Sequence, residues 1–567
     1  MRTFLRSTLV ALATIGVLPV SAQEGDPGER LLEQQTRRQQ LEGLAESETG
    51  QEIKTPDVAG VVEEQVCFPI DVIHLTGVSV FKDGNFDGLL AEFAGQCLGQ
   101  FSIGNLLQRV SSVYAEKGYI TTRAYVPAQD IGSRELTVEV LEGKVEAFVY
   151  QQVDKDGNPR PGKPRKLKSA MPLQVGEVFQ LRDLEHGLEQ MNRLRSSQAN
   201  ANLVAGEEPG TSRVVVTEQK ADTIRGTFGV DNRGDEITGE TQVSLSLEAD
   251  DLLGLNDTYF LSYSGARNSN ALAFSLSVPY RKWLFAANGS YSESLSPVSA
   301  TSDLFTQTAN LNVTAERLLF RDARSKYFLY GGVHSYWNER FVNIAALAPQ
   351  HRTGLSFGLR HEHRLEKAVI AANTSITFGA PFLGGDENLS PLTSATPRSE
   401  FTKLETRLTY IRPFESGQQL TATLVGQLSD SPLFSNEQLS VGGWESVRGY
   451  AGHSFSGDSG AFLRTELSFP TKALNFRQLG APLEDSWLPN PVKNAQGGFR
   501  PFVFFDAGYV KARATGRSST MFSTGFGFSS QVGRTTLNGA LAVPLEDQSG
   551  QAAGSVQAYL GLSVKLF

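Results

Sequence analysis

The stretch Ser440-Val441-Gly442-Gly443-Trp444-Glu445-Ser446-Val447-Arg448-Gly449-Tyr450 decides how the rest of this chain is interpreted. Its glycines allow positive φ angles and close approach of the backbone, so the stretch predicts a tight loop that presents the Arg448 guanidinium. An arginine buried in such a loop needs a carboxylate partner. Further along, the strand-like run Phe504-Phe505-Asp506-Ala507-Gly508-Tyr509 holds a single acid. We therefore expect Arg448 and Asp506 to pair.

The composition limits the class of protein. At 567 residues the chain is too long for one ordinary domain, and its net charge of −9 argues against a nucleic-acid partner. Glycine (55) and phenylalanine (34) are abundant, cysteine is nearly absent (2), and 40% of residues are hydrophobic. This combination fits a membrane barrel, in which apolar and polar side chains alternate without forming a long apolar run.

The N-terminus has the features of an export signal. Arg2 and Arg6 precede an apolar stretch from Leu9 to Val20, and small residues follow up to Ala22. This order predicts a secretory signal peptide over residues 1–22, and the apolar stretch is too short for a membrane anchor. We expect the mature protein to leave the cytoplasm without a transmembrane helix.

A polar segment follows the signal peptide. Residues 23–48 are rich in Glu, Gln and Arg, with Pro27 suited to a first helical turn, so they predict a mostly polar helix. Such a helix has little to bury in a dry core. It could lie in a water-lined lumen as a plug or be solvated, and the sequence leaves both open. Residues 49–66 are interpreted as an extended linker.

Two copies of a small α+β pattern come next, over residues 67–143 and 144–220. In the first copy, the apolar residues between Ile103 and Lys117 recur on one helical face, and strands flank this helix. In the second, a strand is followed by a basic loop near 163–168, a helix from Leu181 to Leu194 and two strands. The tandem arrangement is an internal repeat.

From residue 221 to 567 the pattern changes to alternation with a period of two. In the last segment, apolar residues from Val556 to Leu566 alternate with mostly polar ones, and the chain ends on Phe567. This pattern predicts a C-terminal transmembrane antiparallel β-barrel with a wet interior. At roughly 22 residues per strand and connection, the barrel would have about sixteen strands.

Several runs resemble one known family. Val-Arg-Gly-Tyr at 447–450 followed by Phe-x-Asp-x-Gly at 504–508 resembles the signature motifs of polypeptide-transporting outer-membrane β-barrels. The runs 118–130 and 140–146 resemble the first POTRA domain of two-partner secretion transporters, and 179–194 resembles the second. The resemblance covers nearly the whole mature chain and identifies it as a member of that transporter family, in the POTRA plus β-barrel superfamily.

The resemblance implies how the chain works. In the family, the arginine lies at the tip of a loop folded into the lumen and meets the aspartate on the barrel wall. The implied loop residues are Val447, Arg448, Gly449 and Tyr450, and the implied wall residues are Phe504, Asp506 and Gly508. The N-terminal helix would also occupy the lumen, so a disulfide tethering Glu33 to the wall should block transport until it is reduced.

The resemblance also implies partners and a location. The POTRA pair would recognise the N-terminal secretion domain of one large exoprotein, of the adhesin or haemolysin type, which then passes unfolded through the barrel without nucleotide hydrolysis. The barrel would lie in the outer membrane of a Gram-negative cell, with the POTRA domains in the periplasm. Outer-membrane lipid and the general outer-membrane assembly machinery are the other expected partners.

The two cysteines, Cys67 and Cys97, both fall in the first small unit. In an exported protein they could form a disulfide that braces this unit. Two free buried thiols are the alternative.

Three other functions need weighing. Gly457-Asp458-Ser459-Gly460 matches the nucleophile loop of a serine protease, but no histidine lies in a recognisable base motif, so a surface hydrolase using Ser459 is a weak alternative. His361 and His363 could form half of a metal site, yet no third ligand is evident. No phosphate-binding glycine loop or cysteine cluster occurs, so we expect no cofactor and no metal.

A barrel-assembly insertase shares Val-Arg-Gly-Tyr but typically carries three or more POTRA domains.

Overall fold

The fold was obtained as a computed structural model, in which the first described element is a helix, α1 (Pro27–Glu46). The predicted signal peptide (1–22) and most of the predicted linker (49–66) lie outside the residues that the structure describes. No helix within the described ranges combines the length and apolar character needed to cross a membrane. The described ranges are 26–46, 60–154, 156–160, 162, 164–388, 390–470, 498–548 and 550–567.

The first unit is a small sheet covered by one long helix. Helix α3 packs on the sheet through Leu106, Val110 and Tyr114, which are spaced four residues apart and are fully buried. Strand β5 (Glu135–Leu141) pairs in parallel with β2 (Val72–Thr76) and antiparallel with β4 (Arg123–Tyr125). Its elements are β1 (Phe68–Ile70), β2 (Val72–Thr76), α2 (Asp87–Ala91), β3 (Gln96–Leu98), α3 (Gln100–Glu116), β4 (Arg123–Tyr125) and β5 (Glu135–Leu141).

A disulfide joins Cys67 to Cys97 beside the β1–β3 pair. The bridge closes a loop with a sequence separation of 30. Closing a loop of this length restricts the unfolded chain, so replacing both cysteines by serine should lower the free energy of unfolding of the first unit by about 3 kcal/mol. Urea-dependent proteolysis of the full-length protein measures this loss. Equal urea midpoints for cleavage of the first unit in the two proteins would contradict it.

The second unit repeats this plan with one helix that the sequence analysis missed. The predicted basic loop near 163–168 was wrong, because part of it forms a helix, α4. Lys166 on α4 is 1% exposed and contacts the buried Glu218 carboxylate. A lysine-rich run usually indicates solvent exposure, and Glu218, the acidic partner of Lys166, is distant from it in sequence. The sequence pattern therefore did not indicate that Lys166 is buried. The elements are β6 (Lys144–Val153), β7 (Pro159–Arg160), α4 (Pro164–Ala170), α5 (Leu181–Asn192), β8 (Ser197–Ala205) and β9 (Thr211–Lys220), with sheet order β7-β6-β9-β8.

The remainder forms a closed antiparallel barrel in which β10 pairs with β28. Within the described ranges sixteen strands span it, which confirms the predicted fold, and the short β17 (Ala345–Ala346) extends one hairpin. The sixteen are β10 (Ile224–Asp231), β11 (Gln242–Asp250), β12 (Thr258–Ala266), β13 (Ser269–Tyr280), β14 (Trp283–Ser299), β15 (Ser302–Arg321), β16 (Ser325–Val342), β18 (Gln350–Leu365), β19 (Ala368–Gly379), β20 (Thr402–Pro413), β21 (Gln419–Ser429), β24 (Ser459–Ser468), β25 (Phe499–Lys511), β26 (Ser518–Val532), β27 (Thr535–Pro544) and β28 (Gln557–Lys565).

The barrel has two distinct ends. The chain enters it from the second unit at the start of β10, so the turns beside that point define the near end and the opposite turns define the far end. On the outer face, Tyr327 stacks on His361 with ring centroids 4.1 Å apart, and Trp337 stacks on His351 at 4.9 Å. These two pairs lie ten residues apart along one tilted strand, which corresponds to a band about 25 Å tall.

Helix α1 lies inside the barrel. Its Glu33 carboxylate is 2.6 Å from Nη2 of Arg407 on β20, and its Arg38 is 3.7 Å from Glu248 on β11. At the start of the helix, Asp26 hydrogen-bonds to Ser292 on β14. Because these contacts come from the inner faces of well-separated strands, the helix must cross the lumen.

Candidate functional site

A long loop at the far end folds back into the barrel. It connects β21 to β24 over residues 430–458 and is called the lumen loop here. A short hairpin stiffens it, in which β22 (Leu439–Val441) pairs with β23 (Phe455–Gly457). Opposite the loop, strand β25 exposes Val503 and Phe505 on its outer face, whereas Phe504 and Asp506 are buried on the inner face. The loop tip and the inner face of β25 form the candidate site.

Arg448 and Asp506 meet at the centre of this site. Nε of Arg448 lies 2.7 Å from Oδ2 of Asp506, and its Nη2 lies 2.9 Å from Oδ1, so both oxygens of the carboxylate are engaged. The backbone N–H of Arg448 also donates to Oδ2 at 3.2 Å. Arg448 is 1% exposed and Asp506 is fully buried. The contact expected from the sequence is therefore present, and each charge is buried against the other.

The rest of the guanidinium is also enclosed. Its Cζ atom lies 3.6 Å from the centre of the Phe504 ring, which places the cation over an aromatic face. Nη1 reaches Glu466 at a longer distance of 3.4 Å, and Glu466 is 37% exposed. Asp506 and Phe504 therefore hold the arginine, and Glu466 adds a weaker, solvated contact.

The remaining motif residues explain why the loop tip fits the wall. A Cβ atom on Gly508 would lie 2.9 Å from Val447 and closer still to Val441, so only glycine permits the contact. Gly449 has a φ of +94° and donates its N–H to the hydroxyl of Tyr559 at 3.0 Å. The Tyr450 hydroxyl donates to the carbonyl oxygen of Phe522 at 2.8 Å. Each predicted loop residue therefore has a contact in the barrel.

Helix α1 and the lumen loop touch each other through Glu445. The Glu445 carboxylate lies 3.2 Å from Nη1 of Arg37 on the helix and 3.9 Å from Nη1 of Arg464 on β24. Arg464 also donates to the carbonyl oxygen of Trp444 at 2.8 Å. Departure of the helix would remove the Arg37 cation from Glu445. The two elements that occupy the lumen are thus connected by one shared carboxylate.

The second unit is docked on the near-end turns through charged groups. Arg321, at the end of β15, contacts Glu189 at 2.5 Å and Glu185 at 3.3 Å, both on α5. Lys166 lies 3.4 Å from Asp251 on a barrel turn, in addition to its contact with Glu218. Burial alone would raise the pKa of Glu218, but the Lys166 ammonium and hydrogen bonds lower it below its usual value. Glu218 therefore stays ionised in mildly acidic solution.

We predict that His186 on α5 makes this joint sensitive to pH. It is 2% exposed, its Nε2 donates to the carbonyl oxygen of Arg281 at 3.2 Å, and its Nδ1 is buried without a partner. Burial, assisted by the Arg321 and Lys326 cations against the opposing effect of Glu189, lowers the pKa of His186 to about 4. Because the docked pKa lies below that of an exposed histidine, docking is fully stabilised above about pH 6.5 and weakens towards pH 4, by about 3 kcal/mol in total.

Spin labels test this pH dependence. Cysteines replacing the exposed Lys168 on α4 and Lys367 on a near-end turn should give one narrow distance distribution at pH 7 and a broader one at pH 5. His186→Gln is the matched control, because its amide still donates a hydrogen bond but does not titrate, so it should give the same distribution at both values. A wild-type distribution that does not change with pH would contradict the prediction.

The two weaker sequence motifs have other contacts. The Ser459 hydroxyl accepts a hydrogen bond from the backbone N–H of Ser429 at 3.0 Å. His361 stacks on Tyr327 on the outer face, and Nδ1 of His363 lies 2.8 Å from the Ser325 hydroxyl. Within the described ranges, no three His, Cys, Asp or Glu residues are grouped to hold a metal ion. These residues contribute to the barrel wall and its aromatic belt.

Several other residues of the site could not be identified from any pattern in the sequence. The Trp444 ring packs against Tyr559 with ring centroids 4.9 Å apart and planes tilted by 55°, and it lies under the Arg233 guanidinium, whose Cζ is 4.1 Å from the Trp444 ring centre. Glu445 and Arg37 pair across a large separation in sequence. A polar helix with many charges gives no indication of which one faces the loop, so these contacts are visible only in the folded chain.

Comparison with known proteins agrees with this architecture. A family model described as haemolysin secretion/activation protein ShlB/FhaC/HecB matches residues 210–530, and two POTRA models match residues 68–143 and 144–205. The outer membrane transporter CdiB of Dickeya dadantii (strain 3937) is 29% identical over 451 residues, covering 76% of this chain and 77% of the relative. The hemolysin transporter protein ShlB of Serratia marcescens is 27% identical over 493 residues, covering 82% and 84%.

A solved structure gives the same result. CdiB from Escherichia coli matches with a TM-score of 0.82 and 25% sequence identity, covering 95% of this chain and 99% of that chain. The family model by itself spans more than half of the sequence. The chain therefore belongs to the haemolysin secretion/activation protein family ShlB/FhaC/HecB.

Proposed function

We propose that this chain exports one large partner protein through its barrel, and that α1 and the lumen loop close the lumen at rest. As a member of its family, the chain is an outer-membrane protein transporter with its POTRA domains in the periplasm. The near end of the barrel is then periplasmic and the far end extracellular. The observation that carries the proposal is the pair Arg448 and Asp506, which fixes a loop inside a lumen already occupied by a helix.

The contacts of α1 suit a removable plug. They are mainly ion pairs between partly exposed groups, such as Glu33 with Arg407 and Arg37 with Glu445, whose side chains are 25% to 53% exposed. Ion pairs that keep contact with water contribute little stability, so the helix can leave at low cost. The buried pair of the lumen loop is harder to break. We propose that the helix leaves before the cargo enters and that the loop shifts during transport.

The small units offer edges to an extended cargo segment. Strand β2 is an edge of the first sheet, and β8 is an edge of the second. Strand β8, Ser-Gln-Ala-Asn-Ala-Asn-Leu-Val-Ala over nine residues, has neither charge nor proline to discourage pairing, and Val204 is 51% exposed. An unfolded secretion domain could add to these edges by main-chain hydrogen bonds. We propose that the units deliver the cargo from the periplasm in this way.

The outer face supports lipid as a further partner. Apolar residues such as Leu245 and Phe274 are exposed there, and the ring pairs of Tyr327 with His361 and of Trp337 with His351 lie on the same face. We also propose the general outer-membrane assembly machinery as a partner for the chain's own insertion, as is expected for an outer-membrane barrel. Folding of the cargo outside the cell would draw it outward. We propose that the cargo is an unfolded exoprotein of the toxin or adhesin class, in keeping with relatives named as haemolysin transporters.

Secretion with and without this chain tests the proposal. A host that lacks related transporters would express the N-terminal fragment of a large exoprotein encoded beside this gene. We expect the fragment in the medium only when the chain is present. If the fragment stays in the periplasm in both strains, and deletion of the gene from its own cell prevents other outer-membrane barrels from assembling, the chain is an insertase instead.

A further inference from the structure

The stretch Gly457-Asp458-Ser459-Gly460 lies where the lumen loop rejoins the barrel wall, immediately before and within β24. Asp458 is fully buried, although it takes no part in the contact between Arg448 and Asp506. A buried carboxylate is costly unless its oxygens accept hydrogen bonds. Its hydrogen-bond partners therefore indicate what it does.

The three donors to Asp458 come from two parts of the far end. Oδ1 accepts from the backbone N–H of Leu433 at 2.6 Å and from Nε2 of Gln438 at 3.1 Å, both in the first half of the lumen loop. Oδ2 accepts from the backbone N–H of Arg513 at 2.5 Å, in the hairpin between β25 and β26. One side chain thus connects the two stems of the loop to the hairpin whose first strand carries Asp506.

Backbone contacts strengthen the same connection. The N–H of Asp458 donates to the carbonyl oxygen of Lys511 at 3.0 Å, and its own carbonyl accepts from Nε2 of Gln427 at 3.1 Å. A Cβ on Gly457 would lie 2.6 Å from the backbone of Lys511, and one on Gly460 would lie 2.4 Å from the carbonyl oxygen of Tyr509. The two glycines therefore allow β25 to approach the stem closely.

We infer that Asp458 is a positioning residue that clamps the stems of the lumen loop to the wall and so holds Arg448 against Asp506. The inference rests on the proposed role of the loop in export. The hairpin of β22 and β23 runs from these stems towards the tip, so a shift at the stems moves the tip as a unit. The carboxylate is suited to this position because it only accepts hydrogen bonds, and all three of its donors are neutral N–H groups.

Labelling of a cysteine near the tip measures the position of the loop. Ala451 follows the Val-Arg-Gly-Tyr motif and is partly buried against the barrel cluster that includes Tyr559. With Ala451→Cys in the full chain, a membrane-impermeant maleimide is added to intact cells, where the native cysteines are joined in a disulfide. Asp458→Ala leaves the donors at Leu433, Gln438 and Arg513 without their acceptor, so we expect the labelling rate to rise by about tenfold or more and secretion to fall.

Two further variants keep the result interpretable. Asp458→Asn can accept at Oδ1 but not from the Arg513 N–H, so its labelling rate should lie between wild type and Asp458→Ala. Ser459→Ala loses only the contact with Ser429 and should label at the wild-type rate. Rates are compared only for barrels that show the heat-dependent mobility of a folded barrel. If Asp458→Ala does not assemble, Asp458→Asn decides the outcome.

The labelling assay needs no cargo, so it separates this inference from the proposed function. Wild-type labelling in an assembled Asp458 variant would overturn the clamp, whatever happens to secretion. Faster labelling in the Asp458 variants together with unchanged secretion would support the clamp and contradict the role of the loop in export.

Discussion

Replacing Asp26 and Ser292 by cysteine should stop secretion while the new disulfide is closed and restore it on reduction. These side chains contact each other where α1 meets the inner face of β14. A cross-link there keeps the helix in the lumen, so cargo cannot enter. We expect secretion of the partner to fall below about a tenth of the wild-type rate in oxidised cells, because a gate that cannot open limits the whole process.

The contacts in the structure favour a different pair of positions for this disulfide than Glu33, which the sequence suggested. Glu33 contacts the wall through the long side chain of Arg407, so cysteines at those two positions would be poorly placed for a disulfide. Asp26 and Ser292 are short and in direct contact. Each single cysteine variant serves as the control and should secrete normally with or without reductant. Normal secretion by the oxidised double variant would show that the helix need not leave.

Loss of either Arg448 or Asp506 should reduce secretion much more than it reduces the amount of assembled barrel. Removing one partner leaves the other charge buried and unpaired, at a cost of about 3–5 kcal/mol, which is enough to displace the loop tip. The barrel strands have their own hydrogen-bond ladders and do not depend on this pair. Secretion per assembled barrel, measured for Arg448→Ala and Asp506→Ala, should therefore fall by about tenfold or more.

Glu466→Ala provides a matched control for this pair. Glu466 also faces Arg448, but at 3.4 Å and with 37% of its side chain exposed. A partly solvated contact of that kind contributes about 1 kcal/mol or less, so secretion should remain near the wild-type level. The account of the site would be wrong if Arg448→Ala and Asp506→Ala secreted as well as Glu466→Ala does.

Much of the architecture could be predicted from the sequence because its patterns are local. Alternation with a period of two indicated the barrel, and the structure has Leu245 and Leu247 on the outer face, as alternation requires. The pairing of Arg448 with Asp506 could be anticipated because an arginine between glycines needs an acid, and one strand offered a single candidate. In both cases the chemistry of a single stretch indicated what it needed, even though Asp506 lies 58 residues from Arg448.

The rest depends on contacts between distant residues. Lys166 belongs to a basic run that looks solvated, yet its charge is compensated by Glu218 and Asp251 in a buried joint. Asp458 was noted only as part of a protease-like motif, because its donors lie at the other stem of the lumen loop and in the hairpin between β25 and β26. The pairing of Glu445 with Arg37 requires knowing that α1 lies in the lumen. Neither spacing nor composition contains that information.

The passage of cargo through this lumen in place of α1 is the central claim, and one cross-linking measurement tests it most directly. A photo-reactive amino acid replaces Arg407, which faces α1 at rest through Glu33. The partner carries a stably folded domain at its C-terminus, so that export stalls midway. We predict cross-links to α1 without cargo, and cross-links to the cargo with loss of those to α1 once export has stalled. Cross-links to α1 alone, while stalled cargo is exposed at the cell surface, would contradict the account.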